Sequence, residues 1–133
     1  MENKPVQGRA VLLVEDDPDI REAIGDVLQE EGYTVAMADT GLQALDRLRA
    51  DPLPDVILLD LMMPIMDGWK FRQEQKQHPA WDAIPVIVLS AVGNTQERAE
   101  SIGASGHLRK PLDIDELLDM LAKVVPAERS VTS

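Results

Sequence analysis

The sequence contains no cysteine, which excludes disulfide bonds, thiol catalysis and thiolate metal sites together. It also has no apolar run of about eighteen residues, the length that a membrane-spanning helix needs. Basic residues are few, because 13 lysines and arginines stand against 24 aspartates and glutamates, for a formal net charge of −11. Such an acidic chain is poorly suited to the phosphates of nucleic acid or of an anionic membrane. The N-terminus lacks the charged-then-apolar layout of a signal peptide, so we expect a cytoplasmic protein.

What the sequence does contain is typical of one globular domain of 133 residues, with 44% hydrophobic and 28% charged residues. Short apolar runs alternate with amphipathic stretches, which predicts an α/β fold with a parallel sheet and helices on both of its faces. We expect a flexible N-terminal tail at residues 1–8, the domain at 9–125 and a C-terminal tail at 126–133, which is too short for a second domain.

The apolar runs and the amphipathic stretches predict five strands and five helices. The strands are expected at Val11–Val14, Tyr33–Ala38, Val56–Leu59, Val86–Leu89 and His107–Arg109. The helices are expected from Pro18 to just before Gly32, from about Leu42 to before Pro52, and over Trp69–Gln77, Thr95–Ser101 and Asp113–Val125. Asp17 precedes a proline, and we therefore interpret it as the N-cap of the first helix rather than as a metal ligand.

Carboxylates follow two of the predicted strands directly. Glu15-Asp16-Asp17 comes after the first strand, and Asp60 comes after the third. Runs that are apolar throughout are typical of strands buried on both faces of a parallel sheet, where ligands bind beyond the carboxyl ends. If the two strands are neighbours, about 4.8 Å apart, several carboxylates share one pocket and require either a proton or a cation. Hard oxygen ligands favour Mg²⁺, so the sequence predicts a magnesium site there.

Four motifs, each at the carboxyl end of a predicted strand, together carry a family resemblance: Leu13-Val14-Glu15-Asp16-Asp17, Leu59 to Gly68, Leu89-Ser90-Ala91 and Lys110-Pro111. Over about Arg9 to Val125 the chain resembles the receiver domains of two-component response regulators, of the stand-alone, single-domain type. The resemblance implies a flavodoxin-like, CheY-like doubly wound five-stranded parallel sheet, in the order 2-1-3-4-5, with five helices. It also implies a cis peptide bond before Pro111.

The resemblance also implies a role for each site residue. Asp60 is expected to accept a phosphoryl group as 4-aspartylphosphate, and Lys110 to pair first with Asp60 and then with that group. Ser90 is expected to bond a phosphoryl oxygen. The implied Mg²⁺ ligands are Asp16, Asp60, Glu15 (directly or through water) and the backbone carbonyl of Met62. His107 occupies the position of the family's aromatic switch residue; the alternative is that it is simply a partly exposed strand histidine.

The implied function is that of a phosphoacceptor in a histidine–aspartate phosphorelay, which catalyses only its own phosphorylation and dephosphorylation. The expected partners are a histidine kinase or histidine-phosphotransfer protein and an unidentified downstream protein, with no direct contact to nucleic acid or membrane. We expect a monomer or weak homodimer that signals through the surface of the fourth and fifth helices and the fifth strand. Leu112, Met120 and Val124 either form an apolar edge for a partner or widen the core contact of the last helix.

Three other interpretations fit the motifs less well. A phosphatase of the aspartyl-phosphate type would need an acid two residues after the nucleophile, where this chain has Met62. A receiver-like scaffold without the reaction would lack the acidic pair, the acceptor or the lysine, and all are present. A flavodoxin-like cofactor binder would need a phosphate-cradling loop after the first strand. Without a metal, Glu15-Asp16-Asp17 would repel a phosphate there.

Overall fold

The computed structural model describes residues 9–50, 52–60, 68–90, 100 and 103–125. Five parallel strands form one sheet in the order β2-β1-β3-β4-β5, which confirms the predicted order. The strands are β1 (Ala10–Val14), β2 (Thr34–Ala38), β3 (Val56–Asp60), β4 (Val86–Ser90) and β5 (Gly106–Arg109).

The described residues contain five helices: α1 (Pro18–Glu30), α2 (Gly41–Ala50), α3 (Gly68–Lys76), α4 (Pro79–Asp82) and α5 (Ile114–Val124). Helix α4 is a single turn with proline at its first position, and it was not predicted. The helix predicted over residues 95–101 lies outside the described residues apart from Glu100, which is helical. No helix in the described parts of the chain has both the length and the apolar character to cross a membrane.

The core consists of two apolar layers, one on each face of the sheet. Successive residues of β1 alternate between them, with Leu12 and Val14 on one side and Val11 and Leu13 on the other. Because helices cover both faces, β1, β3 and β4 are apolar at nearly every position, which is why they read as continuous runs. The second layer also receives three partly buried side chains, which supports the interpretation that these widen the core contact: Leu112, just before α5, and Met120 and Val124 on it.

The first helix begins where the sequence predicts. The Asp17 side chain accepts hydrogen bonds from the backbone N–H groups of Asp19 at 2.9 Å and Ile20 at 3.2 Å, and Pro18 occupies the first helical position. Asp17 is therefore the N-cap, as predicted, a contact worth about 1 kcal/mol. After α1, Gly32 adopts a φ of 101°, a conformation that side chains disfavour, and the chain turns there into β2.

Candidate functional site

The carboxylates that follow β1 and β3 meet at one edge of the sheet. These strands are hydrogen-bonded neighbours with Val14 opposite Leu59, so the residues at their ends lie side by side. One carboxylate oxygen from each of Glu15, Asp16 and Asp60 lies within 4.8 Å of the others. Glu15 is completely buried and Asp60 is 3% exposed, whereas Asp16 is the most exposed of the three. The predicted carboxylate pocket is thus present.

Lys110 enters this pocket from the end of β5. Its ammonium nitrogen lies 2.7 Å from Glu15 Oε1 and 3.2 Å from Asp60 Oδ2. Its backbone N–H donates to the carbonyl oxygen of Ser90 at 3.0 Å, and the following peptide bond to Pro111 is cis, as expected. One cation is thus held between two buried acids.

Burial dominates the electrostatics of Glu15. It raises the pKa of the carboxyl from 4.5 to about 7; Lys110 opposes the shift, and the negative charge of Asp60 adds to it. Burial alone would lower the pKa of Lys110, but the contacts with Glu15 and Asp60 outweigh it, so the pKa of the ammonium group is raised. The lysine therefore stays charged at neutral pH.

The donor set suits a divalent cation. With all three acids ionised, three negative charges face the single positive charge of Lys110. Glu15 Oε1 is buried with Lys110 as its partner at 2.7 Å, and a carboxylate oxygen can accept a second contact. Clustered carboxylate oxygens are the ligands that Mg²⁺ prefers, and the residues present therefore fit it. Met62, the predicted backbone ligand, lies outside the described residues.

Ser90 and His107 lie on the strands beside the pocket. Ser90 ends β4 and is completely buried; Asp60, on the neighbouring strand, pairs with the preceding residue, Leu89. His107 is partly buried on β5, opposite Val88. The structure thus brings Ser90 to the same sheet edge as Asp60 and Lys110, and it places His107 farther from that edge along β5.

One contact at the pocket was not predicted. Arg21, in the first turn of α1, donates from Nη1 to the carbonyl oxygen of Glu15 at 2.8 Å. An arginine one turn into an amphipathic helix reads as an ordinary surface charge, and no residue pattern in the sequence indicates that it reaches back to the acidic loop.

Comparison with known families and structures is consistent with this geometry. The family model described as the response regulator receiver domain matches residues 11–122. The sporulation initiation phosphotransferase F of Bacillus subtilis is 36% identical over 118 residues, which are 87% of this chain and 93% of that protein. The probable transcriptional regulator ycf29 of Pyropia yezoensis is 36% identical over 117 residues, 86% of this chain but only 52% of that protein. The chain thus spans about half the length of some of its relatives.

Solved structures show the same fold. A putative response regulator from Chloroflexus aurantiacus superposes with a TM-score of 0.82 at 29% identity, covering 88% of this chain and 97% of that one. The chemotaxis response regulator CheY4 of Vibrio cholerae superposes with a TM-score of 0.80 at 30% identity, covering 87% of this chain and 98% of that one. The sheet order and the arrangement of helices are therefore those of known receivers.

Proposed function

The chain belongs to the response regulator receiver domains of two-component systems, and we propose that it accepts a phosphoryl group on Asp60 from a histidine kinase or a histidine-phosphotransfer protein. The observation that carries this proposal is the position of Lys110, whose ammonium group lies 2.7 Å from Glu15 and 3.2 Å from Asp60 in a buried acidic pocket. A cation fixed there pairs with the acceptor before the reaction and with phosphoryl oxygens afterwards.

In the proposed reaction, an oxygen of the Asp60 carboxylate attacks the phosphorus of a phosphohistidine. The new P–O bond forms as the P–N bond breaks, and the electron pair of the broken bond goes to the imidazole nitrogen, which takes up a proton. Phosphoryl transfer needs little beyond positioning and charge neutralisation. The position of the attacking carboxylate is fixed, because Asp60 ends a fully buried strand and is itself only 3% exposed.

We propose that Asp16 and Asp60 hold Mg²⁺ directly, that Glu15 acts directly or through water, and that the backbone carbonyl of Met62 is a further ligand. When bound, the ion supplies positive charge that offsets the crowded carboxylates and the incoming phosphoryl oxygens. The spacing of the acids supports this, since their oxygens lie within 4.8 Å of one another. Asp16, the most exposed of them, is the one open to solvent.

The proposed output runs through Ser90. Its hydroxyl would donate a hydrogen bond to a phosphoryl oxygen. The domain would exist in two conformations, and this hydrogen bond would favour the one in which it forms. The Ser90 carbonyl already accepts the backbone N–H of Lys110, which joins β4 to the end of β5. The change would reach the surface of the predicted helix 95–101, β5 and α5, where an unidentified downstream protein binds, and His107 on β5 is a candidate switch residue.

We further propose that the chain catalyses no reaction other than its own phosphorylation and dephosphorylation. It would act in the cytoplasm as a monomer or weak homodimer, and would contact neither nucleic acid nor membrane. The net charge of −11 supports the expectation that the chain contacts neither nucleic acid nor an anionic membrane.

Intact mass spectrometry tests the proposal. The chain is incubated with acetyl phosphate, with Mg²⁺ or with EDTA, as wild type, Asp60→Asn and Asp55→Asn. Asp55 is the matched control, because it immediately precedes the same strand and its carboxylate accepts the backbone N–H of Ala10, at 2.8 Å, a role that asparagine can keep. We expect one phosphoryl group on wild type and on Asp55→Asn, only with Mg²⁺, and none on Asp60→Asn. Equal labelling of Asp60→Asn would overturn the proposal.

A further inference from the structure

The backbone of the acidic loop after β1 is held on both sides of Asp16. On the N-terminal side, the carbonyl oxygen of Glu15 accepts a hydrogen bond from Arg21 Nη1 at 2.8 Å. On the C-terminal side, the backbone N–H of Asp17 donates to Glu15 Oε2 at 3.2 Å. Each peptide group that flanks Asp16 is thus fixed by a side chain.

Glu15 and Arg21, whose side chains make these contacts, are themselves held in place by hydrogen bonds. The Glu15 N–H donates to the carbonyl of Ala38 at the end of β2, at 3.0 Å, and Glu15 is completely buried. Arg21 is one turn into α1, and its own N–H donates to the carbonyl of Asp17 at 2.9 Å. A network of hydrogen bonds between β1, β2 and α1 therefore holds the loop. Asp16 is the least buried of the three carboxylates and depends most on its backbone for its position.

We propose that Arg21 is a positioning residue, which orients the Asp16 carboxylate for Mg²⁺ by holding the Glu15 carbonyl. This inference depends on the metal site of the proposed function. Mg²⁺ requires near-ideal octahedral geometry with short metal–oxygen distances, so its affinity is sensitive to ligand placement. Groups that orient metal ligands without touching the metal affect the affinity strongly, typically by about 10- to 100-fold.

The charge of Arg21 acts in the opposite direction. A guanidinium group near the site repels a divalent cation, so removing the charge alone would strengthen Mg²⁺ binding. Arg21 is partly exposed, and the field of an exposed charge is weakened by solvent and by salt. The hydrogen bond at 2.8 Å acts on the loop directly. We therefore expect the loss of orientation to exceed the gain from lost repulsion.

The test is an NMR titration with MgCl₂ at constant ionic strength, which follows backbone amide shifts in wild type, Arg21→Met, Arg21→Lys and Arg47→Met. Arg47 is the matched control, because its Nε donates to a backbone carbonyl of β2, that of Met37 at 3.0 Å, and not to one in the acidic loop, and its replacement removes the same charge. Because the lost repulsion offsets part of the lost orientation, we expect a net effect below the range typical of groups that orient metal ligands, about 3- to 10-fold weaker Mg²⁺ binding in Arg21→Met. Arg21→Lys and Arg47→Met should stay within about twofold of wild type, because lysine can still donate to the carbonyl.

A parallel titration with CaCl₂ separates orientation from charge and from general stability. Ca²⁺ tolerates irregular ligand geometry, whereas Mg²⁺ does not. Arg21→Met should therefore lose more affinity for Mg²⁺ than for Ca²⁺, while a pure charge effect would change both alike. Methionine is a good helix former, and Arg21→Ala provides a second variant with the same lost bond if Arg21→Met does not fold.

The outcomes distinguish this inference from the proposed function. Equal or tighter Mg²⁺ binding in Arg21→Met, or an unchanged ratio of the Mg²⁺ and Ca²⁺ affinities, overturns the role of Arg21. The proposed function survives that result if Asp60 of the wild type is still phosphorylated. A wild-type chain that binds no Mg²⁺ overturns both.

Discussion

Lys110 lies closer to Glu15 than to Asp60, with its ammonium nitrogen 2.7 Å from the first and 3.2 Å from the second carboxylate. Glu15 is completely buried and its other oxygen accepts a backbone N–H, so it is the fixed anchor of this lysine. Lys110 is therefore held in the pocket of the unmodified chain, and Asp60 makes the longer of the two contacts.

Replacing Lys110 by methionine should destabilise the chain. The change leaves two buried carboxylates without their cation, and breaking a buried ion pair costs about 3–5 kcal/mol. Because Glu15 can take up a proton, we expect a smaller loss in the free energy of unfolding, about 2 kcal/mol at pH 7.5, as measured by urea denaturation. Lys123→Met, at an exposed position near the end of α5, should cost less than about 1 kcal/mol. Equal losses in the two variants would contradict the anchoring role of Lys110.

The stability of the metal-free chain should depend on pH through Glu15. Its pKa is raised in the folded state, from 4.5 to about 7, because burial disfavours the charged form. Below pH 4.5 the Glu15 carboxyl is protonated in both the folded and the unfolded state, so it does not affect the free energy of unfolding. As the pH rises from 4.5 toward 7, the carboxyl ionises in the unfolded state but stays protonated in the folded state, so the free energy of unfolding falls. Relative to Glu15→Gln, we expect wild type to lose about 2 kcal/mol in the free energy of unfolding between pH 5 and pH 7.5. If the free energy of unfolding changed with pH in the same way in both proteins, the pKa of Glu15 would not be raised in the folded state.

Asp17 should contribute to the stability of the fold and not to Mg²⁺ affinity. Its side chain caps α1 through Asp19 and Ile20 and is not among the three clustered carboxylates. We expect Asp17→Ala to lower the free energy of unfolding by about 1 kcal/mol, with Mg²⁺ affinity within about twofold of wild type. Asp17→Asn removes the charge and keeps the cap, so it should retain the stability. A large loss of Mg²⁺ affinity in Asp17→Asn would identify Asp17 as a ligand instead.

Ser90 should transmit the signal without being needed for phosphorylation. Ser90→Ala keeps Asp60 and Lys110, so acetyl phosphate should still add one phosphoryl group. The amide shift changes that phosphorylation causes in β5 should fall by roughly half or more, because the contact that favours the switched state is lost. Ser105→Ala is a suitable control, since Ser105 is exposed at the other end of β5. A wild-type shift pattern in Ser90→Ala would remove Ser90 from the switch.

Most of the fold follows from the sequence because the sheet is covered on both faces. Continuous apolar runs predicted β1, β3 and β4 to within one residue, and Asp17-Pro18 predicted the start of α1. Helix α4 was missed because a turn of four residues has no periodicity to detect. The fifth strand has only four residues, and only Leu108 among them is buried, so its pattern is faint.

The site was predictable in part. Carboxylates at the ends of apolar runs indicated Glu15, Asp16 and Asp60 from the residues alone. Lys110 and Ser90 were expected only from the family resemblance, because a lysine or a serine after a strand is common. The anchoring of Lys110 by Glu15 and the bond from Arg21 to the Glu15 carbonyl depend on the path of the folded chain. No residue pattern encodes such contacts.

The most direct test of the central claim is to locate the phosphoryl group. After reaction with acetyl phosphate and Mg²⁺, borohydride reduces an aspartyl phosphate to homoserine, and peptide mass spectrometry then identifies the altered position. We predict homoserine at position 60 and an unmodified Asp16 and Asp55. Homoserine at another aspartate, or a phosphoryl group that survives the reduction on a serine, threonine or histidine, would contradict the assignment of Asp60 as the acceptor.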